Sequence, residues 1–114
     1  MPFINSKVSV ELTEKQKQEL KTELGKAISL IPGKSESWLM LGFEDNYSIY
    51  FKGQAFDKIA FVEVKIFGST TSDAYDKLTA AICDIFNNVV GVDKDKIYVK
   101  YEEVSHWGYN GFNF

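Results

Sequence analysis

The stretch 59-IAFVEVKIFGSTTS-72 decides the fold. Its first nine residues, Ile59 to Phe67, are β-branched and aromatic with short polar interruptions, which is the composition of a strand. Gly68 breaks the run. Ser69 to Ser72 then offer hydroxyl side chains able to accept from the first free N–H groups of a helix. Beyond them Ala74, Leu78, Ala81, Ile82, Ile85 and Val89 recur with the spacing of one helical stripe. Gly91 ends that stripe, and Lys96 to Val104 (KIYVKYEEV) reads as a strand again.

The same order precedes it. Phe3 to Val10 (FINSKVSV) reads as a strand. Thr13-Glu-Lys-Gln16 has the spacing of a capping box, and Leu20, Leu24, Ala27, Ile28 and Ile31 form a helical stripe. Pro32-Gly33 stops it. Trp38 to Phe43 (WLMLGF) is an apolar run short enough for a buried strand, and Tyr47 to Phe51 reads as a return strand after a turn at Glu44–Asn46. Strand–helix–strand therefore occurs twice, with units about 60 residues apart. The reading is one α+β domain over 1–114, with pseudo-repeats at about 1–54 and 55–114. Each unit is a β-α-β crossover with parallel, right-handed connection. Together they form a four-stranded sheet with two helices on one face. The other face is left uncovered, and residues such as Leu39 to Leu41 are apolar whichever way they point, so that face is expected to bury against another subunit.

Composition narrows the function classes. Sixteen acidic against thirteen basic residues give a net charge of −3, which argues against binding nucleic acid by phosphate neutralisation. One cysteine, Cys83, excludes an internal disulfide framework, and one histidine, His106, excludes a Ser/His/Asp set built beside a histidine metal centre. Cys83 reads as a small core residue and His106 as a solvated turn residue. No apolar run reaches the length of a membrane span, and the N-terminus lacks a signal-peptide pattern, so a cytoplasmic protein is expected.

Pro2 stands at the entry of the first strand, where a residue without an N–H is awkward. It is either tolerated there or, once Met1 is removed, a secondary amine. A terminal amine titrates at about 7.7–8.0, lower if desolvated or near a cation, and could then act as a base at neutral pH. Alternation along the last strand puts Tyr98, Lys100 and Glu102 on one face.

The start Met1-Pro-Phe-Ile4, Gly33-Lys34, the segment Phe67–Thr70, Ile97-Tyr-Val99 and the ending Trp107-Gly-Tyr-Asn-Gly-Phe-Asn-Phe114 together resemble the macrophage migration inhibitory factor family of the tautomerase superfamily. The resemblance runs end to end. It implies a homotrimer with sites at subunit interfaces, and cofactor-independent keto–enol tautomerisation of phenylpyruvate-type α-keto acids. No metal or organic cofactor is implied. By that resemblance Pro2 is the general base after Met1 removal. Lys34 binds the substrate carboxylate and depresses the proline pKa, and the Val64 backbone N–H meets the same carboxylate. Tyr98 comes from the neighbouring subunit, Trp38 lines the mouth and Phe114 packs over the pocket. Lys100 stands where well-known vertebrate members carry an asparagine, and it either adds positive charge for an acidic substrate or is neutralised by Glu102. Tyr109 replaces a tail tryptophan. The Cys-x-x-Cys of some vertebrate members is absent, with Phe56 and Ile59 in that region, so no thiol-redox activity is expected. The alternative to an enzyme is a signalling protein that engages a receptor, by a non-classical route of secretion, or a trimer with vestigial catalysis.

Overall fold

A computed structural model describes all of residues 1–114. Four strands, β1 (Pro2–Val8), β2 (Met40–Glu44), β3 (Ala60–Phe67) and β4 (Ile97–Val104), form one sheet in the order β2-β1-β3-β4. β1 pairs parallel with β2 and β3 parallel with β4, while β1 and β3 are antiparallel. The tandem β-α-β architecture is thus present. Its two units meet through β1 and β3.

Helix α1 (Glu14–Ala27) begins where the capping box demanded. The Gln16 N–H donates to Thr13 Oγ1 (3.1 Å), and the Thr13 N–H donates to Gln16 Oε1 (3.0 Å). Helix α2 (Ser72–Val90) takes Thr71 as N-cap and ends at Gly91, which adopts φ +80°. A β-carbon would be strained there, so glycine is the fitting stop. Leu20, Leu24, Leu78, Ile82 and Phe86 of the helices meet Ile4, Val8, Val62, Val64 and Ile66 of the sheet in one core, all 0–1% exposed. Each such side chain contributes roughly 1.5–3 kcal/mol by leaving water. No helix is long and apolar enough to cross a membrane.

Four expectations are corrected. Tyr47 to Phe51 forms no return strand; Phe51 makes only an isolated bridge to Gln54 around a tight turn. β1 ends at Val8 rather than Val10. The strand expected from Trp38 starts at Met40, because Glu36–Trp38 closes into a short 3-10 turn first. β2 is also an edge strand, not a buried one: Leu41 and Phe43 pack on the core, while Met40 is 69% exposed. The run was apolar all along its length, but only alternate residues can face the helices.

The sheet face opposite the helices is uncovered in the single chain, and it is mixed rather than apolar. Lys7 pairs with Glu63 (2.9 Å), Lys100 with Glu102 (2.9 Å), and Asn5 Nδ2 donates to Glu44 Oε2 (2.7 Å) among the rings of Phe3 and Tyr98. A small antiparallel hairpin, β5 (Gly108–Tyr109) and β6 (Phe112–Asn113), completes the chain. Asn110 and Gly111 between them both have positive φ (53° and 88°), the geometry of a type I′ turn.

Candidate active site at the chain start

The first residue of β1 enters the sheet beside the last residues of β3, since Pro2 lies opposite Ile66. The Phe67 N–H donates to the Met1 carbonyl (3.0 Å), extending the ladder by one pair. Lys34 reaches the same corner from the turn after α1, where Gly33 adopts φ +82°, and its Nζ donates to the Phe67 carbonyl (2.9 Å). The amine of Met1 is held below the usual value of 8.0, first by burial, then by the charge of Lys34 and a hydrogen bond with it. A cation and a partly desolvated amine thus share one end of the sheet.

A cleft of about 540 Å³ opens over that corner, lined by Met1, Pro2, Phe3, Trp38, Met40, Trp107 and Tyr109 among others. Pro2 itself is buried. Aromatic rings build the far wall. Trp38 meets Tyr109 edge-on at 5.4 Å between centroids, Tyr109 stacks on Phe114 at 6.2 Å, and Phe114 leans on Phe67 at 5.8 Å. The Phe114 N–H donates to the Trp107 carbonyl (3.0 Å), so the hairpin's end is fixed against its start. A larger groove of about 640 Å³ lies between α1 and α2, but its walls are mostly solvated side chains such as Lys15, Glu19 and Asn88. It holds neither an aromatic ring nor the chain terminus, so the corner at the chain start is the candidate site.

Pro2, Lys34, Trp38 and Phe114 therefore gather at one end. Tyr98 does not. It pairs with Phe61, which pairs with Lys7, five residues along β1 from Pro2. At the rise of a strand that is roughly 17 Å along the sheet. Tyr98 instead lies against Phe51 (5.2 Å) in an apolar hollow of about 210 Å³ with Ile49, Tyr50, Ile59 and Phe61. Lys100 sits on the open face of β4 with its charge met by Glu102; the hydrogen bond and charge of that carboxylate raise its pKa.

Val64 is 1% exposed and points into the core. Its backbone follows from the ladder. Met1 with Phe67 and Ser9 with Ile59 are hydrogen-bonded pairs, so the odd-numbered residues of β3 direct N–H and C=O toward β1. The even-numbered ones turn the other way, as the Gly68 N–H does in donating to the Val104 carbonyl (3.0 Å). The Val64 N–H is therefore directed to β4, away from Pro2.

Sequence reading gave no role to Met40, Trp107 or Phe67. The Asn110-Gly111 pair between aromatic residues was the available sign that the tail folds back as a hairpin and brings Trp107 to the cleft. Nothing local marks Phe67, whose part depends on pairing with Met1. No group of three or more His, Cys, Asp or Glu side chains comes together as a metal site would require.

Comparison with known proteins agrees with this architecture. The family model for macrophage migration inhibitory factor (MIF) matches residues 1–114. The chain belongs to that family. Among solved structures, MIF2 of Leishmania major is 31% identical with a TM-score of 0.92, covering 100% of this chain and 97% of that one. The macrophage migration inhibitory factor homologue of Prochlorococcus marinus is 26% identical with a TM-score of 0.87, covering 98% of each chain. A protein described as a fused 4-OT symmetric trimer shares the fold at 18% identity and a TM-score of 0.86, covering 97% of this chain and 94% of that one. No curated protein matches the chain.

Proposed function

We propose that the protein is a cofactor-independent keto–enol tautomerase of α-keto acids of the phenylpyruvate type, with Pro2 as general base once Met1 has been removed. The observation that carries this reading is Pro2, buried beneath an aromatic cleft at the corner of the sheet that Lys34 reaches. Lys34 retains two ammonium donors beyond the one given to Phe67, enough to take a carboxylate. Trp38, Tyr109 and Phe114 supply faces and edges for an aryl group. The Pro2 nitrogen takes the proton from C3 of the keto acid, and the enolate oxygen receives a proton in turn. No atom is gained or lost.

The working unit in this reading is a homotrimer. Tyr98 stands too far from Pro2 within one chain to share its site, and the relative with the same fold assembles as a symmetric trimer. The hollow around Tyr98 and Phe51 is apolar and open, so it offers the contact surface. Turnover of phenylpyruvate by protein of verified N-terminal mass tests the proposal. Protein beginning at Pro2 should be active, and protein that keeps Met1, whose Pro2 nitrogen is an amide, should lose about 10²–10⁴ of the rate, as removal of a general base does. Full activity in the Met1-bearing protein would sink the mechanism. An inactive but trimeric wild type would leave a scaffold with vestigial chemistry.

A further inference from the structure

The contacts of Met1 are those a substrate would make, and they are unequal in a way that specifies what replaces it. Phe67 presents two backbone groups at the end of the ladder, a donor and an acceptor, both directed toward the N-terminal residue. The acceptor is filled independently of Met1, because Lys34 Nζ donates to the Phe67 carbonyl at 2.9 Å. The donor is filled only by the Met1 carbonyl, at 3.0 Å. Loss of Met1 therefore orphans one group alone, an N–H. An unpaired donor at a partly enclosed site is costly, so the vacated space favours an acceptor, above all an anionic one.

Position narrows the acceptor further. The Met1 carbonyl carbon is bonded to the Pro2 nitrogen, so its oxygen marks a place beside the future base. In a 2-oxo acid whose C3 delivers a proton to that nitrogen, the nearest oxygen is the one on C2. The carboxylate lies one carbon further on, toward the Lys34 ammonium. Met1 lines the cleft and its carbonyl meets the Phe67 N–H, so it links the cleft to that backbone group.

We infer that Met1 occupies the substrate's place in the unprocessed chain, its carbonyl oxygen standing in for the C2 oxygen, and that its removal exposes the Phe67 N–H as the donor for the enolate. This inference rests on the tautomerase reading and adds a group to it. In the step, the C3–H bond breaks and its proton goes to the Pro2 nitrogen. The freed pair forms the C2–C3 double bond, and the C2–O π pair moves to oxygen, where the Phe67 N–H meets the new charge. The proton then passes from the Pro2 ammonium to that oxygen. A fixed donor aimed where charge develops stabilises the transition state more than the ketone.

The test follows the Phe67 amide in two forms of the full chain: protein released from a fusion with Met1 in place, and protein beginning at Pro2. Oxalate, a planar mimic of a 2-oxo acid enolate, is the probe. With Met1 present, the Phe67 N–H should exchange slowly and ignore oxalate. In the processed form it should exchange at least about tenfold faster, and oxalate should restore protection and shift its resonance. Replacing Phe67 by its hydroxy-acid counterpart, phenyllactate, converts that N–H to an ester oxygen. The change should lower kcat by about 10²–10³ while leaving KM within a few-fold, as loss of one oxyanion donor does. The same replacement should lower the Tm of the Met1-bearing form more than that of the processed form, which confirms that folding survives. An active enzyme whose Phe67 amide stays protected in both forms, or whose ester keeps its kcat, overturns the inference alone. Absence of turnover in the processed wild type removes the tautomerase reading and the enolate step together, whatever the amide does.

Discussion

A terminal amine becomes a base near neutrality when its ammonium form is made costly, and burial first and Lys34 second do this for the Met1 amine, lowering its pKa from 8.0. In the proposed enzyme the Pro2 amine freed by loss of Met1 stands at the same buried corner beside Lys34, and its neutral form is the reactive one. The acid limb of kcat/KM for the Pro2-terminated protein should accordingly lie below the ordinary range of a terminal amine, with activity lost as pH falls through it. Lys34→Ala should move that limb upward without restoring it fully, because burial remains. It should also cost about 10–100-fold in kcat/KM through the lost charge-assisted contact to the carboxylate. A pH–rate profile of the two proteins checks both effects. Pro2 and Lys34 were legible in the sequence because each carries its chemistry in its side chain or terminus, and the separation between them fits a recognisable pattern. The Phe67 donor was not. A backbone N–H has no residue-type signature, and its direction depends on the parity of a ladder that only pairing with β1 defines.

Among the elements, β4 is an edge strand tied to α2 by a tyrosine pair. The Tyr75 and Tyr101 rings lie 4.4 Å apart, Tyr75 Oη donates to Glu103 Oε2 (2.8 Å), and Tyr101 Oη shares a 2.7 Å hydrogen bond with Thr79 Oγ1. Burial and then the hydrogen bond to the Glu103 carboxylate push the Tyr75 phenol up to about 12. Ultraviolet titration should show one tyrosine ionising near that value, and Glu103→Gln should bring it down. Tyr75→Phe should cost about 0.5–1.5 kcal/mol, seen as a lower denaturation midpoint. At α1, Gly25 lies where the Glu36 side chain crosses the helix, and an added Cβ would collide with it. The atoms it would meet are the far end of a flexible, exposed side chain that can swing aside, so Gly25→Ala should leave KM unchanged and raise the denaturation midpoint slightly through helix propensity. The helices were legible from caps and stripes, which are local signals. The segment Tyr47–Phe51 was misread because β-rich composition does not reveal whether a neighbouring strand is present to pair with it.

For the whole molecule, an uncovered sheet face was legible from two helices being too few to cover two faces. Its mixture of ion pairs and rings was not, since periodicity says which residues share a face and not which pair across strands. If a site takes Pro2 from one chain and Tyr98 from its neighbour, two inactive variants should repair each other. Met1-bearing wild-type protein and Pro2-terminated Tyr98→Ala protein, unfolded together in equal amounts and refolded, should regain about a quarter of the processed wild-type rate, because random mixing in a cyclic trimer leaves that share of interfaces intact. Each variant refolded alone should stay inactive. Recovery no greater than the sum of the two parents would remove Tyr98 from the site.

The distance between Pro2 and Tyr98 along one sheet also has a kinetic consequence. In the proposed trimer, a chain with its base at one end and a pocket wall at the other has no complete site to offer when solitary. Specific activity should then depend on protein concentration, holding constant at high concentration and falling with dilution once chains part company. An assay run at ever lower enzyme would report a catalyst that fades faster than it is diluted.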